Sequence, residues 1–153
     1  MEAMGGTEVS MLTESPFLRA LDALRLDPDD FVIFGSGPML AAGLRDISDL
    51  DIVARGASWE WALRFGEPIV DDAAHLPRVR FWVGAVEIEI GPKWYSPPLW
   101  STDDLIDGAE KICGYRFASL LDVRRYKLAL GRAKDRPDIV AIEDFLNLPR
   151  SVR

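Results

Sequence analysis

The segment Asp49-Leu50-Asp51-Ile52-Val53 carries two carboxylates at a spacing that can do chemistry. Polar and apolar residues alternate from Asp49 to Ala54, which is strand behaviour. Side chains two apart in a strand share a face, so Asp49 and Asp51 project together while Leu50 and Ile52 point to the core. Adjacent carboxylates repel one another. A bound divalent cation removes that penalty, and magnesium takes oxygen ligands from one or two carboxylates together with phosphate oxygens. The motif is short, and taken alone it is better explained as a pair of solvated acids on an edge strand.

The residues upstream sharpen the reading. Gly35-Ser36 follows the apolar run Phe31-Val32-Ile33-Phe34 and precedes Pro38, a residue suited to opening a helix. Backbone donors at a strand-to-helix turn, aided by the helix start, can hold a phosphate, and glycine lets the ligand come close. A phosphate turn followed by an acid pair on the next element is far more specific than either feature alone. Glu87 and Glu89 repeat the two-residue spacing, with Val86, Ile88 and Ile90 on the other face. One of them would complete a three-acid metal site, and the spacing does not choose between them. A solvated hairpin face accounts for the pair taken in isolation.

The elements that position these residues follow from caps and periodicity. Ser15-Pro16 reads as the N-cap and first residue of a helix carrying Phe17, Leu21 and Leu24. Phe31–Phe34 is a buried strand, and Pro38 opens a helix expected to run through Leu44. Ser58 is expected to cap a helix from Trp59 to Phe65, ended by Gly66. Val79 to Trp82 and Ala85 to Ile90 form a hairpin around Gly84. The stretch from Pro92 to Trp100 is irregular, and Thr102 caps a helix to about Lys111. Ser119 and Asp122 form a capping box for a helix ending near Gly131, and Asp135 and Asp138 repeat it for a last helix with Ile139, Ile142 and Leu146 as its stripe. The fold class is α+β, a mixed sheet with helices packed against it. Residues 1–12 read as a loose tail, and residues 13–153 as a single domain with C-terminal helices from about residue 102.

Composition bounds the function classes. Five Trp and seven Phe in 153 residues supply enough apolar burial to argue against disorder. The lone Cys113 allows neither an intramolecular disulfide nor a cysteine metal site, which suits a reducing compartment. The N-terminus lacks a basic start and an apolar run, and no stretch approaches the roughly 20 apolar residues of a membrane helix. A cytoplasmic protein is expected. The net charge of −7 disfavours broad nucleic-acid binding, although a single metal-bound nucleotide remains compatible with it.

Gly35-Ser36, twelve residues, then Asp49-Leu50-Asp51 resembles the signature of the polymerase-β-type nucleotidyltransferase superfamily. A later Glu in a hairpin strand matches that family's third carboxylate, commonly an Asp. The tail Lys127-Leu-Ala-Leu-Gly-Arg132-Ala-Lys134-Asp135-Arg-Pro-Asp138 resembles the small bacterial members, including toxin-type enzymes of abortive-infection and toxin–antitoxin systems. The resemblance spans about Phe31 to Leu146. It implies transfer of a nucleotidyl group from a nucleoside triphosphate, with two magnesium ions held by the three acids. The chain is short for such an enzyme, so any acceptor-binding part is minimal or belongs to a partner protein. The competing reading is a non-catalytic module of the same fold that binds a nucleotide or a partner.

Helical geometry adds two basic candidates. With about 100° per residue, Leu120, Val123, Leu128 and Leu130 mark one stripe, and Lys127 and Arg124 fall inside it. The expectation is that both reach the cleft, where Lys127 offsets triphosphate or carboxylate charge. In the bland alternative both snorkel to water. His75, beside Asp71 and Asp72, reads as a solvated loop residue, and Cys113 as a packed one. Trp94, Tyr95 and Trp100 flank Pro97-Pro98 and are expected to pack on the sheet, with base stacking as the functional alternative. Arg78 and Arg80 read as solvated strand residues.

Overall fold

The computed structural model describes residues 12, 14–69, 77–94 and 100–151. In chain order the elements are α1 (Pro16–Leu24), β1 (Phe31–Phe34), α2 (Gly37–Ala41), β2 (Leu50–Ala54), α3 (Gly56–Phe65), β3 (Glu67–Pro68), β4 (Val79–Val83), β5 (Val86–Gly91), α4 (Thr102–Asp107), β6 (Glu110–Ile112), β7 (Tyr115–Phe117), α5 (Leu120–Leu130) and α6 (Arg136–Leu146). The fold is α+β. A seven-stranded sheet has the order β3-β4-β5-β2-β1-β7-β6. It is mixed: β2 runs antiparallel to β1 and parallel to β5, and β7 runs parallel to β1.

Local chemistry sets most boundaries. Ser15 accepts the Phe17 N–H at 3.2 Å and starts α1. Ser119 accepts the Asp122 N–H at 3.0 Å and starts α5, which Gly131 ends at φ 64°. Gly84, at φ 60°, turns the β4–β5 hairpin. His75, Tyr95, Pro97 and Pro98 and nearly all of the expected tail lie outside the described residues.

Four expectations are corrected. Helix α2 stops at Ala41 rather than Leu44, because Gly43 at φ 74° turns the chain and the Leu44 N–H closes back on Met39 O at 2.9 Å. Helix α3 begins at Gly56, not Trp59. The φ of 58° at Gly56 admits an earlier start, so Ser58 is buried in the first turn instead of capping it. Ser101, not Thr102, caps α4 by accepting the Asp104 N–H at 3.3 Å. That helix ends at Asp107, and the chain turns into the β6–β7 hairpin through Cys113 and Gly114, at φ 53° and 84°. Asp135 lies at the N-cap of α6 without capping it, because its carboxylate is taken by Lys127 and Arg132.

The two sheet faces differ in how they are covered. On one, Phe31, Ile33, Leu50, Ile52, Ile88 and Ile90 pack with Leu18 and Leu21 of α1 and Ala62 of α3. On the other, Val32 and Val53 pack with Met39 of α2, Leu105 and Ile106 of α4, Val123 of α5 and Ile142 of α6. Neither β4 nor β5 contributes to this second core. The second face is therefore roofed over β1 and β2, and over β4 and β5 it carries polar side chains.

Candidate metal centre

Strand register places the acids on that second face. Phe34 lies opposite Asp51 across β1–β2, Asp51 opposite Glu89 across β2–β5, and Glu89 opposite Arg80 across β5–β4. Directly opposed residues share a face, so these four form one row. Glu87 and Trp82, opposed to each other, lie in the next row. Asp49 precedes Asp51 by two residues at the open end of β2. One oxygen each from Asp49, Asp51 and Glu89 fall within 4.8 Å of one another, and all three residues are half-buried. The grouping selects Glu89 rather than Glu87 as the third acid. Glu87 lies beside the trio and pairs with Arg80 at 3.0 Å.

This crowding has an electrostatic signature. The Asp51 carboxyl is pushed well above the ordinary carboxylate range, first by burial, then by the charge of Asp49, then by a hydrogen bond with Glu89 and the charges of Glu89 and Glu87. Burial and acidic neighbours thus keep the Asp51 proton in place to a higher pH than an isolated carboxyl would.

The turn after β1 is built against the same carboxylate. Gly35 has φ 65°, and a Cβ there would lie 2.5 Å from Asp51 Oδ2. Backbone conformation and proximity both demand glycine. Replacing Gly35 with Ala is expected to cost about 1–3 kcal/mol in urea unfolding, from left-handed strain and displacement of Asp51. A variant as stable as the wild type would show that the turn tolerates a side chain. Ser36 makes no capping bond; its hydroxyl accepts from Lys127 Nζ at 3.3 Å. With only five residues in α2, a phosphate at this turn would rest on backbone N–H groups more than on a helix dipole.

Lys127 reaches the turn but is already engaged. Only 3% exposed, it lies 3.2 Å from Asp135 Oδ1 and 3.1 Å from Asp138 Oδ2. Asp138 also accepts from Arg45 at 2.7 Å and Asp135 from Arg132 at 2.6 Å. The lysine ties the tail to the Ser36 turn. Arg124 is directed elsewhere, donating from Nε at 2.8 Å to Glu143, which is 0% exposed and also receives Ser151. It joins α5 to α6.

Arg78 and Arg80 are half-buried and engaged rather than fully solvated. They pair with Glu89 and Glu87 across the β4–β5 hairpin. Two arginines and two glutamates at the same spacing on strands joined by a tight turn are a readable cross-strand signal. Trp94 is buried, with its ring 4.3 Å from that of Trp100 and 4.6 Å from that of Phe34, so it packs on the sheet. The aromatic left open on the acidic face is Trp82, 56% exposed. Two clefts of about 510 and 450 Å³ lie elsewhere, and none of Asp49, Asp51, Glu87 or Glu89 lines either. No family model, curated protein or solved structure matches the chain.

Proposed function

We propose that the chain is a metal-dependent nucleotidyltransferase that moves a nucleotidyl group from a nucleoside triphosphate to an acceptor, possessing Asp49, Asp51 and Glu89 as its metal ligands. The observation that carries this reading is the convergence of those carboxylates from two parallel strands beside the Gly35-Ser36 turn. The donor set fits magnesium, since every ligand is a carboxylate oxygen and a cation offsets both the burial and the repulsion that raise Asp51. Two magnesium ions, when bound, would align the α-phosphate and activate the attacking hydroxyl. The backbone of Gly35-Ser36 would orient the phosphates, and Lys127 would hold that turn in place from behind. Among the described residues no apolar core covers β4 and β5 on this face, which leaves room for an acceptor, and a toxin-type enzyme acting on a macromolecule is one form this takes. A single cysteine, Cys113, suits a cytoplasmic setting, and among the described residues no helix is long and apolar enough to cross a membrane.

A second reading, a nucleotide- or partner-binding module without transfer activity, is favoured by the pairing of Glu87 and Glu89 with arginines. Incubation with α-labelled triphosphates, magnesium and a cell extract separates the two. The enzyme labels an acceptor in the wild type and not in Asp51→Asn. Triphosphate binding without any labelled product would favour the module.

A further inference from the structure

Glu89 has two claimants. It belongs to the acid trio, and it also receives Nη1 of Arg78. The Arg78 side chain is 26% exposed and that of Glu89 24%, so the pair is shielded enough to matter and open enough for a ligand to reach. The Arg78 stem lies across the end of β5, where a Cβ on Gly91 would come within 3.3 Å of its Cγ. The missing side chain at Gly91 lets the stem lie flat and returns the guanidinium over Glu89. Arg80 repeats this arrangement one row along with Glu87, which is outside the trio. A triphosphate arriving at the acids also needs a cation. Lys127 is held between Asp135 and Asp138, which leaves the β4 arginines bordering the acids.

We infer that Arg78 is the resident counter-cation of Glu89 and becomes a phosphate ligand when a divalent cation takes that carboxylate. The inference rests on the metal reading proposed above. Guanidinium and metal compete for one carboxylate, so binding the metal turns Arg78 Nη1 from Glu89 toward phosphate oxygens. No bond is made or broken; one ion pair is exchanged for another. Arg80 serves as the internal control, because its partner is not a metal ligand.

Titration calorimetry with Mg²⁺ and with inorganic tripolyphosphate tests the exchange in the wild type, Arg78→Gln and Arg80→Gln, with circular dichroism confirming that each is folded. Arg78→Gln is expected to bind Mg²⁺ about tenfold tighter, the size of one charged hydrogen bond. In saturating Mg²⁺ it should bind tripolyphosphate about tenfold weaker, whereas without metal the variant and the wild type should bind it equally weakly. Arg80→Gln should change the Mg²⁺ affinity by less than Arg78→Gln does. If Arg78→Gln loses tripolyphosphate affinity by the same factor with and without Mg²⁺, or if the two arginines behave alike, the guanidinium is a fixed point charge and the exchange is overturned while the metal site stands. If neither the wild type nor the variants bind Mg²⁺, the metal reading itself fails and takes the exchange with it.

Discussion

Replacing Lys127 with Met is expected to lower the stability of the protein by about 3–5 kcal/mol, the usual cost of stranding buried charges without their partner. The Nζ group lies within 3.2 Å of two carboxylates whose side chains are only 4% and 11% exposed. Met keeps most of the stem and removes the charge, so Asp135 and Asp138 would face each other across a dry gap, with only Arg132 and Arg45 at the edges. For a chain of this size the loss corresponds to a midpoint lower by about 10 °C or more. The helical wheel directs Lys127 to the cleft; its two buried ion pairs make it a structural residue as well. Adding Asp138→Asn should recover part of the loss, since the two sites share one network. An unchanged melting temperature for the single variant would mean that water reaches the lysine.

The same network gives a pH dependence. Burial alone would raise Asp135, but the hydrogen bond from Arg132 and the Lys127 charge outweigh it and hold the carboxyl below its ordinary value of 3.8. A lowered carboxyl contributes stability above the unfolded value and loses it as the pH falls through the folded one. Acid unfolding of the wild type should therefore steepen below about pH 3.8, and Lys127→Met should flatten that limb.

Asp51→Asn is expected to act in two opposite directions. It should abolish magnesium-dependent triphosphate binding, a loss of 100-fold or more for a central ligand, because the Asn amide oxygen lacks the negative charge of the carboxylate grouped with Asp49 and Glu89. In metal-free protein the same change should raise stability by about 1 kcal/mol, since it removes a carboxyl lifted by burial and by the repulsion of its acidic neighbours. The sign follows from linkage. An acid whose folded value is raised contributes stability at low pH and loses it as the pH rises through that value. Metal-free wild type should therefore weaken relative to Asp51→Asn as the pH rises, while magnesium stabilises only the wild type, and more so at higher pH because the metal displaces the Asp51 proton. Equal magnesium stabilisation of both proteins would remove Asp51 from the site.

Features fixed by neighbours in the chain were legible before the structure. The caps at Ser15 and Ser119, the stop at Gly131, the Gly84 hairpin and the strands Phe31–Phe34 and Leu50–Ala54 each depend on a few adjacent residues. The β6–β7 hairpin escaped because its strands are three residues long and its turn uses Cys113, a residue without turn character, at positive φ. Parity placed Asp49 with Asp51 and Glu87 with Glu89, but it could not rank the glutamates. Only the parallel register of β2 with β5, set by a crossover of more than thirty residues, puts Glu89 opposite Asp51. The wheel identified Lys127 and Arg124 as basic residues within an apolar stripe. It could not show that their partners would be Asp135, Asp138 and Glu143 of the following turn and helix.

Asp49, Asp51 and Glu89 are proposed to hold the divalent cation of a nucleoside triphosphate. Crystals grown with Mn²⁺ and a non-hydrolysable triphosphate test it most directly, through the anomalous signal of the metal. A Mn²⁺ peak is expected within about 2.5 Å of an oxygen from each of the three acids, next to phosphate oxygens beside Gly35-Ser36. Triphosphate bound in either of the two clefts, with no Mn²⁺ at the acids, would contradict it.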